Sequence, residues 1–183
     1  QYLQEQLDSY AKQTLLPALI LVSDDGSTDA TRQILEQFAQ ARPHLNVQVL
    51  QGPCRGVAQN FLYLMHQVPD HIDMVSFSDQ DDIWLPGKLT RSVQMLAGKN
   101  HAALYCARTL EWQAETDMRR LSQHRTGHAT GFRHALVQNI AGGNTMVLNK
   151  AALEIVRGAS LEAGEIVMHD WWVYQIIAAA GGQ

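Results

Sequence analysis

The sequence predicts an α/β fold, a mostly parallel sheet covered by helices on both faces, and three observations carry that expectation. Short continuous apolar runs (Ala18–Ser23, Val47–Leu50, Met74–Ser78) alternate with segments whose apolar residues recur at helical spacing. Each run ends in turn-forming residues: Asp24–Asp29, then Gly52-Pro53 with Gly56, then Asp79–Asp82. Strands that alternate with helices at this pitch build parallel sheets buried on both faces. At 183 residues and 46% apolar, the chain is long enough for one substantial core and short for two, so residues 1–183 are expected to form a single domain.

In order, Leu3, Leu7, Tyr10/Ala11 and Leu15 mark a first helix that feeds the strand at Ala18–Ser23. The turn at Asp24–Asp29 supplies cap chemistry for a second helix, marked by Ile34, Leu35, Phe38 and Ala41 and closed by Pro43. Val47–Leu50 is the next strand, and Val57, Phe61, Leu64 and Val68 share one side of the helix that follows. After the strand at Met74–Ser78 and the acidic turn, Pro86 and Gly87 open a helix carrying Leu89, Val93 and Leu96. Ala102–Cys106 adds a strand. From Arg108 to Arg133 no periodicity survives, and the stretch reads as a long loop. Order returns with a strand at Thr145–Leu148, a helix around Ala151–Arg157 and an apolar helix from Asp170 to Ala180.

Charge narrows the partners. Fourteen basic against 18 acidic residues give a net charge of −4 with no Lys/Arg block, so the counterion-release term behind nucleic-acid binding has no source. Cys54 and Cys106 lack zinc or disulfide-framework spacing and read as reduced thiols. No apolar run approaches the roughly 20 residues of a membrane span, and no leader pattern opens the chain, which places the protein in the cytoplasm, with the inner face of the cell membrane as a second location. A start at Gln1 and a helix exit at Ala178–Gln183 point to part of a longer protein.

Two of the strands end in carboxylates, Asp24-Asp25 and Asp79-Gln80-Asp81-Asp82. In open parallel sheets the ligand crevice lies beyond the carboxyl ends of the strands, so both clusters are expected to face one crevice. Gathered carboxylates repel at neutral pH, and Mg²⁺ or Mn²⁺ relieves them while leaving coordination sites for phosphate oxygens. A helix cap accounts equally well for Asp24-Asp25-Gly26-Ser27 taken alone. Three acids in four positions directly after a buried strand are harder to explain as solvated decoration.

Leu21–Asp29, Phe77–Pro86, Gly142–Met146 and His169–Trp172 together resemble family 2 glycosyltransferases of the GT-A fold, in the right order and over nearly the whole chain. The likeness is greatest to the bacterial rhamnosyltransferase-like branch. It implies the nucleotide-diphospho-sugar transferase architecture, a Rossmann-like sheet, and a role for each matching residue. Asp25 would bond the nucleotide base beside Asp24, Arg55, Gly56 and Asn60 would line the nucleotide pocket, and Asp79 would lie near the ribose. Asp81 would ligate the metal bridging the diphosphate. Asp170 would be the base that deprotonates the acceptor hydroxyl in an inverting displacement. Asp82, Trp84, Gly143, Asn144, His169 and Trp171 are candidates for acceptor or sugar contacts. His169, where many relatives carry Glu, also fits a packing role, and Trp171 and Trp172 fit a core as well as a sugar platform. His124 and His128 lack a metal-site context and read as surface residues. Family members begin with a strand and a base-closing turn that nothing before Gln1 supplies, so the domain is expected to lack its first strand and its C-terminal region.

The implied activity is metal-assisted transfer of a sugar, rhamnose first, from a deoxythymidine or uridine diphosphate donor to a saccharide or lipid-linked bacterial glycan in cell-envelope polysaccharide synthesis. A non-catalytic domain that binds nucleotide or saccharide is the alternative. Aspartate-nucleophile phosphatases also place paired acids after a parallel strand, but theirs lie on the first strand and here they lie midway along the chain.

Overall fold

The computed structural model describes residues 2–113, 115–122 and 130–183. Helix α1 (Leu3–Ala11) stops a turn short of the periodicity that ran to Leu15. The chain is drawn off the helix because Thr14 N–H donates to the Pro86 carbonyl at 2.9 Å, and Gln13 bonds both the Leu85 carbonyl and the Leu89 N–H. Leu15 and Leu16 are left exposed. Strand β1 (Ile20–Asp24), helix α2 (Thr31–Ala41) and strand β2 (Val47–Gln51) form a crossover unit, with β1 and β2 parallel and Ile20 opposite Val47. Helix α3 (Val57–Gln67), strand β3 (Met74–Ser76) and helix α4 (Lys88–Leu96) repeat the theme.

Strand β4 (Leu104–Tyr105) closes a three-stranded sheet whose middle strand is β7 (Val147–Asn149), antiparallel to both β3 and β4. The sheet character expected from the sequence is thus met by β1 with β2 and by the shared direction of β3 and β4, with β7 inserted the other way. Helix α6 (Lys150–Ser160) and helix α7 (His169–Ala179) complete the chain.

Side-chain alternation sorts the core onto both faces. Leu21, Val75 and Leu148 pack with α3, α6 and α7 around Met65, Val156, Val173 and Ile177. Ile20 and Val22 point the other way, to Leu7, Leu35 and Phe38 of α1 and α2, while Met74 and Val147 meet Leu96 of α4. Each fully buried Leu or Phe contributes about 1.5–3 kcal/mol relative to exposure, which is what sets the strand register.

The stretch read as a loop from Arg108 to Arg133 holds structure. Leu110–Gln113 (β5) and Met118–Leu121 (β6) pair as an antiparallel hairpin, Leu110 opposite Leu121, around Asp117 in the left-handed region. Phe132–Ala135 forms the short helix α5. Every residue of the two strands is exposed; Leu110–Gln113 alternates over only four residues and Met118–Leu121 does not alternate, too short a pattern to mark a hairpin in the sequence. His124 and His128 lie outside the described residues.

The edges of β1 and β3 are not bonded to each other. Between them lies a cavity of about 1060 Å³, walled by Leu21, Val22, Met74 and Val75 and reaching Asp25 and Asp81 at its mouth. Among the described residues no helix is long and apolar enough to cross a membrane.

Candidate active site

The first acidic turn is held from within. Asp24 is buried; its oxygens accept the Arg32 Nε–H at 2.5 Å and the Ser27 N–H at 2.9 Å. The Ser27 hydrogen bonds, with Arg32 behind them, hold its carboxyl down to about 2 against the cost of burial. Asp25 ties β1 to the loop after β2, accepting the Cys54 N–H at 2.6 Å and the Gly56 N–H at 3.2 Å. Gly56 has φ +88°, a conformation that side chains avoid, and Arg55 beside it is exposed. Asn60 is anchored to β1, accepting from Ser23 Oγ and donating to the Ser23 carbonyl at 3.1 Å. Gly52 closes this cradle: a Cβ there would lie 2.5 Å from Asp25 Oδ1 and 2.8 Å from Asn60 Oδ1.

The second turn sits on a polar face of α1. Gln6 Nε2 donates to Ser78 Oγ and to the Asp79 carbonyl, the Tyr10 hydroxyl donates to Ser78 Oγ at 2.8 Å, and Ser9 Oγ accepts the Trp84 N–H at 3.0 Å. Trp84 meets Tyr10 edge-on, and the Lys88 ammonium stands 3.5 Å from its ring centroid, so its ring is engaged on both counts. Lys88 Nζ also donates to Ser76 Oγ and to the Asn144 carbonyl, each at 3.0 Å. Burial brings its amine down to about 7, with Asp82 and Asp79 pulling it back up.

Asp79 is pushed up to about 6, by burial first and then by the charges of Asp82, Asp81 and Asp170. Burial also raises Asp82, opposed by a hydrogen bond with the Asn144 side chain. Asp81 is exposed. Asp170, 91 residues after Asp79, thus shares one electrostatic environment with the acidic turn, and the bridge is the tight 3₁₀ turn Gly143–Thr145. Gly143 N–H donates to Asp170 Oδ2 at 3.1 Å while the next residue, Asn144, holds Asp82 and Lys88.

Asp170 itself is nearly buried in the first turn of α7. Three donors reach it: Gly143 N–H, Asn139 Nδ2 at 3.0 Å and Trp171 N–H at 2.7 Å. His169 stacks on Phe61, ring centroids 3.9 Å apart, with Phe77 alongside, and burial lowers its pKa while Asp170 opposes the shift. Its Nε2 is buried with no hydrogen-bond partner among the described residues. The imidazole therefore packs in the core beneath the site. Trp171 turns its indole N–H to the Ala135 carbonyl at 2.6 Å, and with Trp172 it lines a second cavity of about 330 Å³ beside Met168.

A model of the family described as glycosyl transferase family 2 matches residues 1–155. The chain belongs to glycosyltransferase family 2. Among relatives of this family 2 domain, the dTDP-rhamnosyl transferase RfbG of Shigella flexneri is 29% identical over 181 residues, covering 94% of this chain and 61% of that protein. A glycosyltransferase of Nostoc sp., alr2836, is 30% identical over 94 residues, 51% of this chain and 28% of its own. Protein Rv1520 of Mycobacterium tuberculosis is 33% identical over 98 residues, 52% of this chain and 28% of its own. The family 2 domain spans about three fifths of the length of the first relative and less than a third of the other two.

Several residues that shape this candidate site carry no signal in the sequence. Lys88 and Gln6 fall unmarked inside expected helices, Tyr10 is an apolar position of the first helix, and Asn139 lies between the unpatterned stretch that ends at Arg133 and the strand at Thr145. Gly52 is visible only as a turn residue. Most of those roles come from partners distant in sequence: Ser78 lies 72 positions from Gln6 and 68 from Tyr10, Asn144 56 from Lys88, Asp170 31 from Asn139 and Asp25 27 from Gly52. Among the described residues no group of three or more His, Cys, Asp or Glu is arranged to hold a metal ion. The donor set still suits a hard cation, since Asp79, Asp81 and Asp82 are oxygen donors whose mutual repulsion a divalent ion would relieve.

Proposed function

We propose that this chain is the donor-binding and catalytic core of an inverting glycosyltransferase that uses a nucleoside diphosphate sugar, dTDP-rhamnose first, and a hydroxyl of a bacterial glycan as acceptor. The observation that carries the reading is the meeting of Asp170 with the Asp79–Asp82 turn across Gly143–Thr145. The printed activity of the Shigella flexneri relative supports the donor. Asp25, Arg55, Gly56 and Asn60 form the nucleotide wall, with Asp24 buttressing it from below and Asp79 toward the ribose. Asp81 would hold Mg²⁺ or Mn²⁺ beside the diphosphate. When bound, that ion neutralises charge on the departing diphosphate.

Asp170 accepts the proton of the acceptor hydroxyl as its oxygen bonds to the anomeric carbon; the bond to the diphosphate oxygen breaks and the configuration inverts. Trp171, with the cavity lined by Met168 and Trp172, is the side from which an acceptor approaches. Trp84, engaged by Tyr10 and Lys88, shapes the acidic turn, as does Asn144, and Gly143 and His169 shape the seat of the base.

The test is a pair of substitutions. Asp170→Asn should retain nucleotide binding and lose transfer by at least about 10²-fold. Asp81→Asn should lose the Mn²⁺ dependence of donor binding in calorimetric titration. Unchanged turnover in Asp170→Asn removes the assignment of the base.

The cavity between β1 and β3 supports a companion reading, that an extended segment inserts there and pairs with the edges of β1 and β3 that carry no ladder partner among the described residues. The non-catalytic alternative draws on the same feature and on the internal bonds of Asp25 and Asn60, which turn their polar atoms toward the protein. Nucleotide binding indifferent to Mn²⁺, with no hydrolysis of any nucleotide sugar by the protein, would select that alternative.

A further inference from the structure

We infer that Asn139 is a positioning residue that, together with the Gly143 N–H, occupies one oxygen of Asp170 and leaves the other to take the proton; this rests on the reading of Asp170 as the base. A carboxylate oxygen offers two lone pairs. Asp170 Oδ2 accepts from Asn139 Nδ2 at 3.0 Å and from Gly143 N at 3.1 Å, so both of its lone pairs are engaged. Among the described residues Oδ1 accepts only the Trp171 N–H, at 2.7 Å, which leaves one lone pair. The carboxylate therefore has a closed oxygen facing the protein and a half-open one.

The orientation of Asn139 is determined by its own bonds. Its Oδ1 accepts the Ala141 N–H at 3.0 Å. Flipping the amide would set its NH₂ against that N–H and its oxygen against Asp170, two repulsive contacts in place of two hydrogen bonds. Gly143 can deliver the second donor only because it has no side chain: a Cβ there would lie 2.9 Å from His169 Nε2 and 3.3 Å from Asp170 Cβ. His169, in turn, is clamped on Phe61. The titratable groups around Asp170 are His169 on its own helix and Asp79 from the acidic turn, and Asn139 is the neutral donor between α5 and the 3₁₀ turn that completes the ring.

A pinned base matters because proton transfer requires its lone pair to be aimed at the acceptor oxygen, and misplacement by about 1 Å costs on the order of 10²-fold in rate. The readout is hydrolysis of the nucleotide sugar that the wild-type protein turns over, dTDP-rhamnose first, with water in place of the acceptor hydroxyl. Asn139→Ala should lower kcat by about 10- to 100-fold with KM for the donor within about twofold.

Asn139→Asp keeps the shape but sets a second carboxylate against Oδ2. The pair then shares a proton, and the acid limb of the kcat profile should move up by about 1–2 pH units. That shift is one that a purely structural role would not produce, and it can be read even where the Ala variant folds poorly. An unchanged acid limb in Asn139→Asp, or unchanged kcat in a folded Asn139→Ala, overturns the positioning role while Asp170→Asn still reports separately on the base.

Discussion

Gly143 and Asn149 do opposite work at the two ends of one short segment. Gly143 is needed for what it lacks: with a Cβ 2.9 Å from His169 Nε2, the 3₁₀ turn would have to lift away from α7 and take its N–H off Asp170. The imidazole cannot retreat, because it lies against Phe61 and Phe77. Gly143→Ala should therefore destabilise the domain by about 1–3 kcal/mol and lower its melting temperature, while nucleotide affinity, which depends on the other end of the site, holds. Isothermal titration alongside thermal melting checks both halves. Equal losses in both would place Gly143 in the nucleotide wall instead.

Among the elements, α6 and β7 form the joint on which the site is hung. Asn149, the last residue of β7, caps α6 by accepting the Ala152 N–H at 3.0 Å, and the same oxygen accepts the Ala103 N–H. Its amide donates to the Lys99 and His101 carbonyls, so one buried side chain ties strand, helix and the loop before β4. Asn149→Ala leaves four backbone groups without these partners, and a loss of about 2–4 kcal/mol is expected in chemical denaturation. Helix α7 ends by an equally local device: Gly181 at φ +77° sends its N–H to the Ala178 carbonyl, and Gly182 sends its N–H to the Ile177 carbonyl. The hairpin of β5 and β6 has no such anchorage of apolar faces; Trp112 and Met118 are exposed on it. Four residues of alternation in Leu110–Gln113 and none in Met118–Leu121 are too short a signal, whereas the buried strands show as continuous apolar runs.

At the scale of the whole molecule, folding gathers charge. Asp79 lies at about 6 in the folded protein against 3.8 unperturbed, by burial and by Asp82, Asp81 and Asp170. A carboxyl raised on folding contributes stability fully present below its unfolded value and lost as pH rises through its folded value, so from this group stability declines between about pH 4 and 6. Removing the charge should reverse the loss. Asp79→Asn is expected to gain about 1 kcal/mol at pH 7.5, allowing for screening at a half-exposed group, and to match wild type below about pH 4. Melting temperatures across that range decide it; a destabilised Asn variant at pH 7.5 would mean that attraction to Lys88 outweighs the crowding. A site that keeps such repulsion in its resting fold is disposed to take a cation, and the proposed Asp81 site would draw on it.

The sequence by itself determined the alternation of strands and helices, the two acidic turns and the family motifs, because hydrophobic periodicity and turn chemistry are local properties of neighbouring residues. What lay beyond it was decided by contacts between distant stretches. Asp25 and Asn60 are bonded into the first turn, Trp84 is held between Tyr10 and Lys88, and His169 is stacked in the core. Asn139 meets Asp170 across 31 positions of sequence. A hydrogen bond or a ring stack depends on where two side chains arrive in space, and only the packing of the sheet against its helices brings those pairs together.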